Sequence, residues 1–126
     1  MHWIDSIQPM PPVIQSISID SNVTAQNIKV TLTNIDTKKK VRKFALYAFS
    51  SLENTDVSAA TPLLIIPANN DSVAHSLGLS LLQQAISGKE IYIGFTTVDT
   101  NNMESELSML QKLQLTGDKK NWELVR

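Results

Sequence analysis

Apolar residues in this chain return at every second position, segment after segment, and that spacing narrows the fold to paired strands. The clearest case is the stretch Gly88–Ser108. There Ile91, Ile93 and Phe95 alternate with Tyr92 and Gly94, the period of a half-buried strand. The run ends in Asp99-Thr100-Asn101-Asn102, a cluster of turn formers, and resumes through Glu104-Ser105-Glu106. Val13–Ile19 alternates and stops at Asp20-Ser21-Asn22. Ile28–Thr33 does the same before Asn34-Ile35-Asp36. Phe44–Phe49 is rich in β-forming residues, and Leu63–Ile66 is closed by Pro67-Ala68-Asn69-Asn70. Ser72–Leu82, Lys89–Val98 and Met109–Leu115 complete the set. About seven strands with turn signals roughly every 8–15 residues predict an all-β fold, an antiparallel β-sandwich.

Two segments also carry a helical pattern. Leu77–Ile86 has apolar residues spaced for a turn or two of helix, and reads as a strand running into a possible short helical turn. Glu104–Leu115 places Leu107, Leu110 and Leu113 at intervals of three. Met109, Leu113 and Leu115 also share one parity, so this segment reads as the last strand.

The chain has 126 residues, the size of one domain with a substantial core. Its formal net charge of -1, from 11 basic and 12 acidic residues, gives no reason to expect nucleic acid, which is bound by concentrated positive surface. The absence of cysteine removes disulfides, thiolate chemistry and cysteine metal sites. No apolar run approaches the roughly 18–20 residues of a membrane span, so membrane insertion is not expected. Met1-His2-Trp3-Ile4-Asp5 lacks the basic head and apolar centre of a signal peptide. The chain therefore reads either as cytosolic or as a mature or excised part of an exported protein.

No constellation for catalysis stands out. The acids sit mostly in turns, at Asp20, Asp36, Glu53, Asp56, Asp71, Asp99 and Asp118, where Asx hydrogen bonds are the plain explanation. Asp99, Glu104 and Glu106 are the densest acidic group, but they lack the regular Asp-x-Asp spacing of a Ca²⁺ loop. Of the two histidines, His2 lies in a proline-rich arm and His75 is expected to face solvent from a strand. Two isolated histidines make neither a triad nor a zinc site. Four glycines leave little material for a phosphate cradle, and no nucleophile elbow, phosphate loop or dinucleotide fingerprint occurs. No cofactor is expected. The basic run Lys38-Lys39-Lys40-Val41-Arg42-Lys43 reads as a solvated loop between two strands whose charges discourage edge pairing, in preference to a contact for a phosphate backbone or an anionic glycan.

The motifs resemble a family. Ile91-Tyr92-Ile93-Gly94-Phe95-Thr96-Thr97-Val98-Asp99, then Asn102-Met103-Glu104-Ser105-Glu106-Leu107-Ser108, resembles the penultimate strand and following turn of fibronectin type III domains, which belong to the immunoglobulin-like sandwiches. Phe44–Phe49 resembles that family's middle strand, and Pro11-Pro12-Val13 its proline-rich entry. The second strand departs by ending Leu32-Thr33-Asn34 where a buried tryptophan is usual, and Ile91 stands at the corner-tyrosine position. The resemblance spans most of residues 11–116. Met1-His2-Trp3-Ile4-Asp5 followed by Pro11-Pro12 also resembles a junction in bacterial glycoside-hydrolase-like proteins, where a (β/α)8 barrel precedes this type of sandwich. This implies a non-catalytic accessory module, spacer or packing partner of a preceding catalytic domain of the same polypeptide, in a carbohydrate-processing protein that is exported or periplasmic. A cytoplasmic setting remains open. Residues 1–12 would be the lead-in or linker, 13–117 the sandwich and 118–126 a C-terminal tail.

The pleat sorts the side chains. Ile17, Ile19, Ile28, Val30, Leu32, Phe44, Leu46, Ile91, Ile93, Phe95, Leu113 and Leu115 are expected inside. In this sandwich type the strands of Phe44–Phe49 and Ile91–Phe95 are neighbours, so Tyr47, Phe49 and Tyr92 would share the outer face. That face either docks another domain, lies under a side strand or the tail with Trp122 as a lid, or stacks on sugar rings as part of a stand-alone binding module. Trp3 and Trp122, near opposite ends of the chain, are expected to pack down or to meet a partner.

Overall fold

The computed structural model describes residues 8–21, 26–36, 38–53, 55, 57, 60–116 and 121–125. Among the described residues, eight strands and one short helix follow in chain order: β1 Val13–Ser21, β2 Gln26–Thr33, β3 Val41–Phe49, β4 Leu64–Pro67, β5 Ser72–Gly78, α1 Leu79–Ala85, β6 Glu90–Asp99, β7 Gln111–Thr116 and β8 Asn121–Val125. They form a three-stranded sheet in the order β1-β2-β5 and a five-stranded sheet in the order β4-β3-β6-β7-β8. The pairings are antiparallel. Apolar positions of both sheets meet in one core, so the molecule is an all-β sandwich.

Alternation builds that core. Ile28, Val30 and Leu32 of β2 are buried every second residue and meet Phe44, Leu46, Ile91, Ile93, Phe95 and Leu113 of the other sheet. Ile17, Ile19 and Leu115 pack against the same cluster, half-buried. In β1 the apolar residues change parity between Ile14 and Ile17. A register shift between Ile14 and Ser16 absorbs the extra residue, so that Ile14 faces Leu32 and Ile17 faces Val30. β5 ends at Gly78 rather than Leu82. From there Leu79 and Leu82, three apart on α1, turn their side chains into the core.

Within residues 118–126, expected as a C-terminal tail that folds back on the sandwich or meets a partner, Asn121–Val125 is an edge strand paired with β7. Its alternation covers too few residues to declare a strand by itself. Trp122 secures it, with its ring in the core at 3% exposure and its backbone held from both sides by the Gln26 amide. The Trp122 N–H donates to Gln26 Oε1 at 2.8 Å, and Gln26 Nε2 donates to the Trp122 carbonyl at 3.1 Å.

The described part of the lead-in, residues 8–12, has no regular structure yet is tied down. Pro9 and Pro12 are buried. Gln8 Nε2 donates to the Glu104 carbonyl at 3.1 Å, and the Met10 N–H donates to Asp36 Oδ2 at 3.1 Å.

Candidate functional site

β3 and β6 run side by side, with Phe49 opposite Tyr92, Tyr47 opposite Gly94 and Ala45 opposite Thr96. The side chains at these positions point away from the core. The sequence places Tyr47, Phe49 and Tyr92 on one outer face, and the structure does bring them together. It does not leave them as an open platform. Tyr47 is 2% exposed and Phe49 8%. Their rings stack at 6.4 Å, nearly parallel, beneath Val57, Ala60, Leu107 and Leu110. Tyr92 is half-buried, with the Lys112 ammonium 5.7 Å from its ring centre and its hydroxyl donating to Glu90 Oε2 at 3.1 Å. Trp122 lies in the core between the sheets and is not the lid over these rings. Trp3 lies outside the described residues.

The cover comes from the segment that was expected to begin the last strand. β7 starts only at Gln111, and residues 105–110 bow outward over β6. Two serines keep the ladder closed where backbone carbonyls no longer reach. The Thr97 N–H donates to Ser105 Oγ at 2.8 Å, and the Phe95 N–H donates to Ser108 Oγ at 3.0 Å. The return bonds are ordinary, from the Ser105 N–H to the Thr97 carbonyl and from the Ser108 N–H to the Phe95 carbonyl. Leu107 and Leu110 then fold over Gly94, where a Cβ would meet Leu110 at 2.7 Å and Leu107 at 2.9 Å. A glycine inside a strand is the sequence signal for such a close approach.

Beside the covered rings lies an open groove of about 450 Å³. Its inner wall is a hydrogen-bond cluster. Glu104 Oε2 accepts from the Tyr47 hydroxyl at 2.6 Å and from the Thr96 hydroxyl at 2.6 Å. Burial raises the Tyr47 pKa well above the usual phenol value, and the hydrogen bond to Glu104 and that residue's charge push the same way. The phenol therefore stays a donor across neutral pH. Next to it a β-bulge sets Val41 opposite Asp99 and Lys43 opposite Val98, leaving Arg42 as the extra residue. Arg42 Nη1 donates to Asn102 Oδ1 at 2.8 Å. Asn102 has φ 64°, the left-handed region that asparagine tolerates better than most residues.

Asp99 organises the turn beneath. Its Oδ1 accepts from the N–H groups of Asn101 at 2.8 Å and Met103 at 2.9 Å. Its Oδ2 has the Lys39 ammonium 4.0 Å away, a charge contact too long to be a hydrogen bond. Lys39 is mostly buried there, and Val41–Lys43 belong to β3. The basic run is therefore not simply a solvated loop, although Lys38, Lys40 and Arg42 are exposed.

The other sequence candidates stay apart. Glu106 is exposed while Asp99 is buried and Glu104 is committed to hydroxyls. Among the described residues no group of three His, Asp or Glu side chains is placed to hold a metal ion. His75 does not face solvent as expected. It stands opposite Val30, on the inner side of β5 with Val73 and Leu77, and is half-buried. Sequence reasoning missed Arg42, Asn102, Ser105, Ser108 and Gly94 as a working set, because a bulge and an outward bow bring them together.

No known family model matches this chain, and no curated protein or solved structure matches it at a significant level.

Proposed function

We propose that this chain is a non-catalytic accessory module, fibronectin type III-like, that packs beside a catalytic domain of the same polypeptide in an exported carbohydrate-processing protein. The observation that carries this reading is the strapped lead-in. Pro9 and Pro12 are buried, and Gln8 and Met10 are hydrogen-bonded to the loops at Glu104 and Asp36. A segment held in this way sets where the chain enters the sandwich, as suits a packing module.

The strand order adds support. Seven of the strands, three facing four, agree with the resemblance to fibronectin type III domains, and β8 is an addition at one edge. The polar groups of the groove also support a structural role. Tyr47 and Thr96 spend their hydroxyls on Glu104, and Asp99 caps a turn. A stand-alone module that binds glycan or protein through Tyr47, Phe49 and Tyr92 lacks its surface, since two of the three rings are covered.

The test is a comparison of the polypeptide encoded by the intact gene with one truncated before Met1. The proposal expects an upstream (β/α)8 domain that keeps its catalytic activity but melts at a lower temperature after truncation. An upstream region with no catalytic domain, an unchanged melting temperature, or glycoside hydrolysis by residues 1–126 alone would overturn it.

A further inference from the structure

The groove on the outer face of the five-stranded sheet has more charge than its internal contacts use. Arg42 and Lys43 stand at its mouth. Among the described residues no carboxylate lies within ion-pair distance of either. Among the described residues the Arg42 side chain makes one hydrogen bond, to Asn102, and a guanidinium carries five N–H donors. The inner wall holds Glu104, whose Oε2 already takes two hydroxyls. Between them Ala45, Val98 and the exposed Ile65 make an apolar floor. The space, about 450 Å³, falls within the range of small-molecule sites.

We propose that this groove binds a monoanionic hydroxy acid of ring size, such as a hexuronate unit, with its carboxylate on Arg42 and Lys43 and its hydroxyls on Glu104 and Asn102. Charge balance selects this class. Two cations against one carboxylate leave the groove net positive by one, so a monoanion neutralises it, whereas a zwitterion or a neutral sugar does not. A bare carboxylate would meet Glu104 with nothing to donate. A ligand that also carries hydroxyls turns that repulsion into a hydrogen bond. The apolar floor suits the C–H face of a ring. The site goes beyond the packing role: it shares Glu104 with that role, but the strap uses the Glu104 carbonyl and the site rests on Arg42 and Lys43, so either can fail without the other. Its open shape and exposed charges make binding weak and salt-sensitive.

The test is titration of the 126-residue chain with sodium D-galacturonate, followed by ¹H–¹⁵N correlation spectra. D-galactose and sodium acetate are the matched controls, the first lacking the charge and the second the hydroxyls. Expected are saturable shifts at Arg42, Lys43, Asn102 and Glu104, with affinity about tenfold or more above either control, the scale of one charge-assisted contact. Arg42→Gln, at an exposed side chain that leaves the core intact, and Lys43→Gln should each weaken binding by about tenfold. Absence of shifts with galacturonate, shifts confined to other residues, equal affinity for galactose or acetate, or unchanged binding in both variants would overturn the proposal.

Discussion

Tyr47 shows how one side chain joins the two halves of the outer face. Its ring lies under Leu107 and Leu110 while its hydroxyl reaches Glu104. Burial keeps that hydroxyl protonated in the folded state above its unfolded value of 10.0. The sign of the linkage follows. The folded state holds the proton more tightly than the unfolded one, so the stabilisation is complete below pH 10 and is lost as pH rises above it. In Tyr92→Phe, which leaves Tyr47 as the single tyrosine, tyrosinate absorbance should stay flat through pH 10 and rise only with unfolding. A smooth titration near pH 10 in the folded protein would contradict the burial. Gly94 makes a second residue-scale point. A side chain there collides with two leucines, so Gly94→Ala should cost about 1–3 kcal/mol in denaturant unfolding, the scale of overpacking.

The strand pattern was legible wherever two-residue alternation ran undisturbed, and β2, β3 and β6 appear where Ile28–Leu32, Phe44–Leu46 and Ile91–Phe95 place them. What was not legible lies where an element breaks its own period. Ser105 and Ser108 substitute hydroxyls for carbonyls, so the ladder continues after the strand pattern stops. The exposure of Tyr47 and Phe49 could not be read either, because the parity of a strand gives the face and says nothing of what lies across it. Ser105→Ala and Ser108→Ala should each destabilise by about 1–3 kcal/mol, since each leaves a buried backbone N–H without an acceptor. Replacement of Ser105 by threonine, which keeps the hydroxyl, should cost less. β8 rests on Trp122, and Trp122→Ala should cost about 3–5 kcal/mol. Trp122→Phe should cost less, because among the described residues the indole N–H has no hydrogen-bond partner to lose. Equal losses for the two Trp122 variants in thermal unfolding would point to a hydrogen bond at the indole.

At the scale of the whole molecule, the five-stranded sheet carries cover on both faces. One face meets the three-stranded sheet across the main core, and the other is sealed around Tyr47 and Phe49 by Leu107, Leu110, Val57 and Ala60, with the groove open beside them. β6 records this in its own burial. Along its second half, inward and outward residues alike are hidden from solvent. With Tyr47 and Phe49 sealed, the proposed roles rest on the strapped lead-in and the charged groove instead. The seal is held shut by two serine hydroxyls, so the most direct measurement is native-state hydrogen exchange at the Phe95 and Thr97 amides. Protection as strong as that of Ile91 and Ile93 in the regular β6–β7 ladder is expected. Exchange at Phe95 and Thr97 as fast as in the Asn101-Asn102 turn would contradict it.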